Sequence, residues 1–145
     1  MSSTNLISKS DKALIVKAIE SAELNTSGEI RVHIESSCKG DPVERAVYIF
    51  NKIKMFQTKE RNGVLIYLAV NSRKFAIIGD TGINAKVPEN FWDVVKVKML
   101  SYFASDDIVP GLTLAICMAG DKLKEFFPYK NDDINEQSNE ISFGE

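Results

Sequence analysis

The stretch that decides the fold is Gly63-Val64-Leu65-Ile66-Tyr67-Leu68-Ala69-Val70-Asn71-Ser72-Arg73-Lys74-Phe75-Ala76-Ile77-Ile78-Gly79-Asp80-Thr81-Gly82. Gly63 opens an unbroken apolar run of strand length, which predicts a central strand covered on both faces. Residues 71–74 have turn chemistry, so residues 75–78 return as an antiparallel hairpin partner. Gly79-Asp80-Thr81-Gly82 ends that partner.

Upstream, Ile30, Val32 and Ile34 alternate with Glu29, Arg31, His33 and Glu35, a strand with one apolar face. A helix start follows at Asp41-Pro42-Val43-Glu44. Asp41 sits at the N-cap, Pro42 at the first helical position and Glu44 three residues after the cap. Val43, Ala46, Val47, Phe50 and Ile53 give this helix its apolar stripe, and it should stop near Phe56. Two strands joined through a helix are parallel. An earlier helix is capped by Ser8 or Ser10 and carries Leu14, Ile15, Ala18, Ile19 and Ala22 to a stop near Leu24. Two later helices begin near Pro88 and at Asp106 or Asp107. Phe91, Val94, Val95, Met99, Leu100 and Phe103 face inward on the first of them. Leu112, Ala115, Ile116, Ala119, Leu123 and Phe126 do so on the second, which Pro128 ends. The order predicts an α/β three-layer α/β/α sandwich around a small mixed sheet of two parallel strands plus the hairpin partner. Residues 1–9 are expected to be a flexible N-terminus, 10–128 a single domain, and 129–145 a disordered acidic tail.

At 145 residues the chain has the length of one domain, and its 44% hydrophobic and 26% charged residues are ordinary globular usage. The net charge of −2 shows no basic excess, so a nucleic-acid partner is not expected. Cys38 and Cys117 form no CxxC or Cys/His cluster, which points to a reducing compartment. No run of about 18 apolar residues predicts a transmembrane segment. Residues 1–12 are polar and lack the apolar core of a secretory signal, so the expected location is cytoplasmic. Nothing in the sequence points to an oligomer, and a monomer is expected.

The hairpin has a geometric consequence. Gly28 and Asn62-Gly63 lead into the parallel strands, and the hairpin brings Gly79 and Asp80 back to that end of the sheet. Thr26, Ser27, Gly28, Glu29, Arg61, Asn62, Asp80, Thr81 and Gly82 should therefore converge. Asp80, Glu29 and Asn62 supply oxygens suited to Ca²⁺ or Mg²⁺, whereas zinc would want Cys and His. The same residues also suit turns whose side chains satisfy loop backbone groups.

The opposite end carries residues 36–41. A cysteine phosphatase loop needs five residues between Cys and Arg; Cys38 and Arg45 have six between them, and Asp41 occupies the helix cap where phosphate would bind. Cys38 is therefore read as a loop thiol. His33 is the only histidine and is read as a surface or cross-strand residue. No GxGxxG, GxxxxGK[ST] or HExxH occurs, so no nucleotide cofactor is expected.

Thr26-Ser27-Gly28-Glu29-Ile30-Arg31-Val32, Arg61-Asn62-Gly63-Val64-Leu65-Ile66, Phe75-Ala76-Ile77-Ile78-Gly79-Asp80-Thr81-Gly82-Ile83 and Phe91-Trp92 follow in this order. Together they resemble the TPM domain, or TPM phosphatase, family over about residues 10–128. The resemblance implies an α/β/α sandwich and a bacterial member. It also implies relatives of two kinds: a thylakoid-lumen protein with weak acid phosphatase activity in photosystem repair, and membrane-tethered accessory proteins of receptors or envelope systems. The family's acidic loop residue falls on Asp80, and its strand-entry residues fall on Glu29, Arg31, Arg61 and Asn62. This sequence departs from many members in showing neither signal peptide nor anchor.

Two functions follow. In the first, the chain is a non-catalytic binding or accessory module. It carries a weak divalent-cation site at Asp80, Glu29 and Asn62 and meets another protein through helix faces or the acidic tail. In the alternative it is a weak metal-assisted acid phosphatase acting on phosphomonoesters, with Asp80 and Arg61 as catalytic residues and Arg61 holding phosphate.

Overall fold

The computed structural model describes residues 7–129 and 141–144. Helix α1 (Lys9–Glu23) starts where Ser8 accepts a hydrogen bond from the Asp11 amide. Strand β1 (Glu29–Glu35) follows, then α2 (Pro42–Lys52), capped by Asp41 through the Val43 amide at 2.9 Å. A short 3₁₀ turn over Met55–Gln57 leads to β2 (Gly63–Ala69) and β3 (Lys74–Gly79). Helices α3 (Thr81–Asn84), α4 (Phe91–Ala104) and α5 (Ile108–Phe126) complete the main body. The sheet order is β3-β2-β1-β4, with β4 the pair Ser142–Phe143. Strands β1 and β2 are parallel, Glu29 opposite Gly63 and Glu35 opposite Ala69, and β2 and β3 are antiparallel. The fold is the α/β three-layer sandwich with a mixed sheet.

The layers follow from side-chain alternation on the fully buried β2. Val64, Ile66 and Leu68 join Ile30, Val32 and Ile34 in a large core with α1, α4 and α5. Leu65, Tyr67 and Ala69 pack with Ala46, Ile49, Phe50 and Met55 of the α2 side. Of the residues expected to face inward, Phe91, Val95 and Met99 are buried, whereas Val94 and Leu100 are 40% and 57% exposed. Helix α4 carries apolar residues on almost every side, so periodicity does not select the face, and packing against α5 and the β3 edge does.

The expectation of a structureless tail from residue 129 needs correction at both of its described ends. The Tyr129 amide donates to the Asn25 carbonyl at 2.9 Å. Residues 141–144 return to the sheet, where Ser142 pairs with His33 and Phe143 with Ile34. Apolar Ile141 and Phe143 bracket Ser142, a strand alternation that the polar average of the segment conceals. Residues 130–140 and 145 of that expected tail, like residues 1–6 of the expected flexible N-terminus, lie outside the described residues.

Candidate functional site

The loops at the start of the parallel strands do converge. Arg61 has a left-handed backbone, φ 54°, uncommon for a residue with a side chain. Its guanidinium grips Asp80 bidentately, Nε to Oδ2 at 2.8 Å and Nη2 to Oδ1 at 2.9 Å. Asp80 Oδ1 also accepts the Thr81 amide at 2.7 Å, capping α3. The Asp80 amide donates to the Gly63 carbonyl and the Gly82 amide to the Arg61 carbonyl, at 2.9 and 2.8 Å. Gly82 is required here, because a Cβ would overlap the carbonyl oxygens of Glu60 and Arg61. Trp92 supports the loop from α4, its Nε1 donating to Asn84 Oδ1 at 2.7 Å while Asn84 Nδ2 donates to the Gly79 carbonyl at 2.8 Å.

Beside this pair, Ser27 donates to Glu60 Oε2 at 2.8 Å and accepts from Asn62 Nδ2 at 3.2 Å. Asn62 is 1% exposed, and its Oδ1 has no hydrogen-bond partner. Glu29 is 2% exposed, its amide meeting the Asn62 carbonyl at 3.4 Å. Thr26 is buried against the end of α5, with Oγ1 3.0 Å from the Leu123 carbonyl. The hydrogen bond from Arg61 to Asp80 holds the guanidinium pKa above its ordinary range. Among the described residues no three His, Cys, Asp or Glu side chains gather as a metal-ligating set.

The opposite end holds a polar network that the sequence reading missed. Glu35 is 2% exposed and receives Arg45 bidentately at 2.9 Å to each oxygen. Tyr67 donates its hydroxyl to the same carboxylate. His33, read from sequence as a surface or cross-strand residue, is 4% exposed and sits across from Tyr67 of β2, so the cross-strand alternative is the one the structure takes. Its ring stacks on Tyr67 at 6.0 Å, Nδ1 is 2.8 Å from Ser142 Oγ, and Nε2 is 3.4 Å from Glu35 Oε1. Burial pushes the Glu35 carboxyl up, but hydrogen bonds from Arg45 and Tyr67 outweigh it and bring the pKa to about 2. Burial lowers His33 below its ordinary value, with Glu35 opposing. Burial and then the Glu35 hydrogen bond raise the Tyr67 pKa. One signal in the sequence pointed here: a tyrosine inside an apolar central strand needs a partner for its hydroxyl.

An open cleft of about 480 Å³ borders this network, lined by Glu35, Ser37, Cys38, Lys39, Asp41 and Arg45 among others. The Cys38 thiol turns inward toward the Gly40 carbonyl at 3.5 Å. Lys74 Nζ donates to the carbonyls of Cys38 and Gly40 at 3.0 and 2.9 Å, and Ser72 Oγ accepts the Cys38 amide at 2.9 Å. The thiol is therefore packed into its loop, with the residue only 8% exposed.

The family model of the TPM domain matches residues 1–122. The chain belongs to the TPM domain family. This TPM domain is similar to the BA42 protein of the psychrophilic bacterium Bizionia argentinensis, solved by NMR. Identity is 44%, 97% of each chain is covered, and the TM-score is 0.88. Two other solved structures share its fold. The N-terminal domain of the cg2496 protein from Corynebacterium glutamicum is 19% identical with a TM-score of 0.65, covering 98% of this chain and 82% of that one. The N-terminal domain of a P. gingivalis protein is 15% identical with a TM-score of 0.67, covering 88% and 84%. No curated protein matches this TPM domain. No helix among the described residues of the TPM domain is long and apolar enough to cross a membrane.

Proposed function

We propose that this TPM domain is a non-catalytic binding module that takes up Ca²⁺ or Mg²⁺ weakly at its Asp80 end. The observation carrying this reading is the Arg61–Asp80 pair. A carboxylate already committed to two guanidinium nitrogens and one amide is a poor general base and a poor nucleophile. The same pair can open, because the Arg61 side chain is half exposed. A cation arriving at Asp80 takes the place of Arg61. The Asn62 Oδ1 without a hydrogen-bond partner and the buried Glu29 supply further hard oxygen atoms. Since the cation competes with an internal guanidinium and its donors sit on turns, affinity falls near 10⁻⁴–10⁻³ M, on the order of the weakest Ca²⁺ modules. Val94, Val97 and Leu100, spaced three apart on α4 and all exposed, support a protein partner on a helix face.

The test is a Ca²⁺ and Mg²⁺ titration read by backbone amide shifts, with a phosphomonoester assay on the same samples. Residues 26–29, 60–63 and 79–83 are expected to move at millimolar cation in the wild type and to stay still in Asp80→Ala. No phosphate release above background is expected from either. Unmoved loops in the wild type would sink the cation site. Metal-dependent turnover lost in Asp80→Ala would replace this reading with the weak phosphatase.

A further inference from the structure

The free side of β1 is treated differently along its length. Near its start the Ile30 amide is taken by the side chain of Glu23, at 2.7 Å to Oε2, which blunts the edge there. Further on, among the described residues, the pairs His33 with Ser142 and Ile34 with Phe143 extend the sheet. Each residue of the incoming segment meets a distinct feature. Ile141 and Phe143 pack half-buried against the main core, and Lys12 Nζ sits 5.1 Å from the Phe143 ring centroid. Ser142 Oγ meets His33 Nδ1 at 2.8 Å. The Gly144 amide donates to the Ile34 carbonyl at 3.0 Å. A Cβ on Gly144 would overlap Glu35 Oε1 and stand 2.9 Å from His33 Nε2, so a larger residue there has to push aside side chains that Arg45 and Ser142 hold in place.

We infer that the His33–Glu35 edge of β1 is a docking site for an extended peptide of the pattern apolar, Ser or Thr, aromatic, Gly, and that residues 141–144 are its resident occupant. Main-chain pairing supplies affinity, and the features at alternate positions supply specificity, as in β-strand addition generally. The blunted start of the edge restricts the guest to about four residues. A ladder of two residues is a small contact, so the resident segment releases without the main sheet opening. A partner presenting the same pattern then takes its place. This inference is independent of the cation reading, because it uses the other end of the sheet.

The experiment uses the full chain with Gly144→Val and a synthetic peptide of residues 139–145, Asn-Glu-Ile-Ser-Phe-Gly-Glu. In the variant, the His33 ring and the amides of residues 32–35 should leave their wild-type positions while residues 64–68 keep theirs. Adding the peptide at millimolar concentration should bring them back, and a peptide with Val for Gly should not. The wild type should respond about tenfold more weakly, because its own segment competes at millimolar effective concentration. A variant with wild-type shifts, or a peptide that leaves the variant unmoved, overturns the inference. If Gly144→Val loses the sheet, Phe143→Asp takes its place with the same readout. In the wild type itself, the Gly144 amide should exchange with solvent at least about tenfold faster than the Ile66 amide. Equal rates would mean that the segment opens only with the whole sheet, and they overturn the inference without any variant.

Discussion

Glu35 and Asp80 are both carboxylates held bidentately by an arginine, yet the two pairs sit in different surroundings. Arg61 is half exposed over Asp80, and screening limits what such a pair adds to stability. Glu35 lies deeper in its network, 2% exposed, and takes a third hydrogen bond from Tyr67. Arg45→Ala should therefore destabilise the fold by about 2 kcal/mol. That is below the ~3–5 kcal/mol of a wholly buried pair, because the guanidinium side chain is 37% exposed. Tyr67→Phe removes one donor and leaves both Arg45 bonds in place, so its cost should be about 1 kcal/mol. Urea unfolding of the two variants checks the ranking. A larger loss in Tyr67→Phe would mean that the tyrosine, not the arginine, holds the carboxylate. Sequence alone did not reveal this network. Alternation along Glu29–Glu35 says which side of the strand is apolar, but not whether the polar side is covered. The cover comes from Arg45, ten residues on, and from Ser142, over a hundred residues on.

Elements meet at glycines, and two of them make opposite predictions. Gly82 lets the α3 turn approach the backbone of Glu60 and Arg61, whereas a Cβ on Gly40 would have nothing within 4 Å. Gly82→Ala should cost about 1–3 kcal/mol through the forced separation of the two loops. It should also weaken the Gly82–Arg61 backbone hydrogen bond. Gly40→Ala should leave the denaturation midpoint within error. Equal effects would mean that the close approach at Gly82 is not tight. The turn Gly79-Asp80-Thr81-Gly82 was legible in sequence as a strand end, and so was its return to the end of the sheet that holds Asn62. The reason for its last glycine was not legible, because it lies in the path of the earlier loop at Glu60 and Arg61. The α2 cap and the hairpin were equally legible, since each rests on neighbours in sequence. Strand β4 and the face of α4 were not, since long-range packing selects both.

At the scale of the whole molecule, the Glu35 end of the sheet responds to protons. The response follows from linkage. His33 is lowered below 6.5 by burial, so the folded chain binds fewer protons than the unfolded chain across the interval between the two values. Its contribution is fully present above about pH 6.5 and is lost as pH falls from there toward the folded value. Glu35, depressed from 4.5 to about 2, contributes fully above about pH 4.5 and loses that contribution as pH falls toward 2. Stability should therefore decline in two stages on acidification, the first from His33 and the second dominated by Glu35. The chain has a single histidine, so no other side chain of ordinary pKa titrates near 6.5 and the first stage can be assigned to it. His33→Asn cannot gain a proton there. Its denaturation midpoint should stay flat between pH 7 and 5, while the wild-type midpoint falls. Both should fall together below pH 4.5. Parallel curves for wild type and variant across the upper interval would mean that His33 accepts a proton in the folded state as readily as in the unfolded one, and that its burial between Tyr67, Glu35 and Ser142 does not hold it neutral.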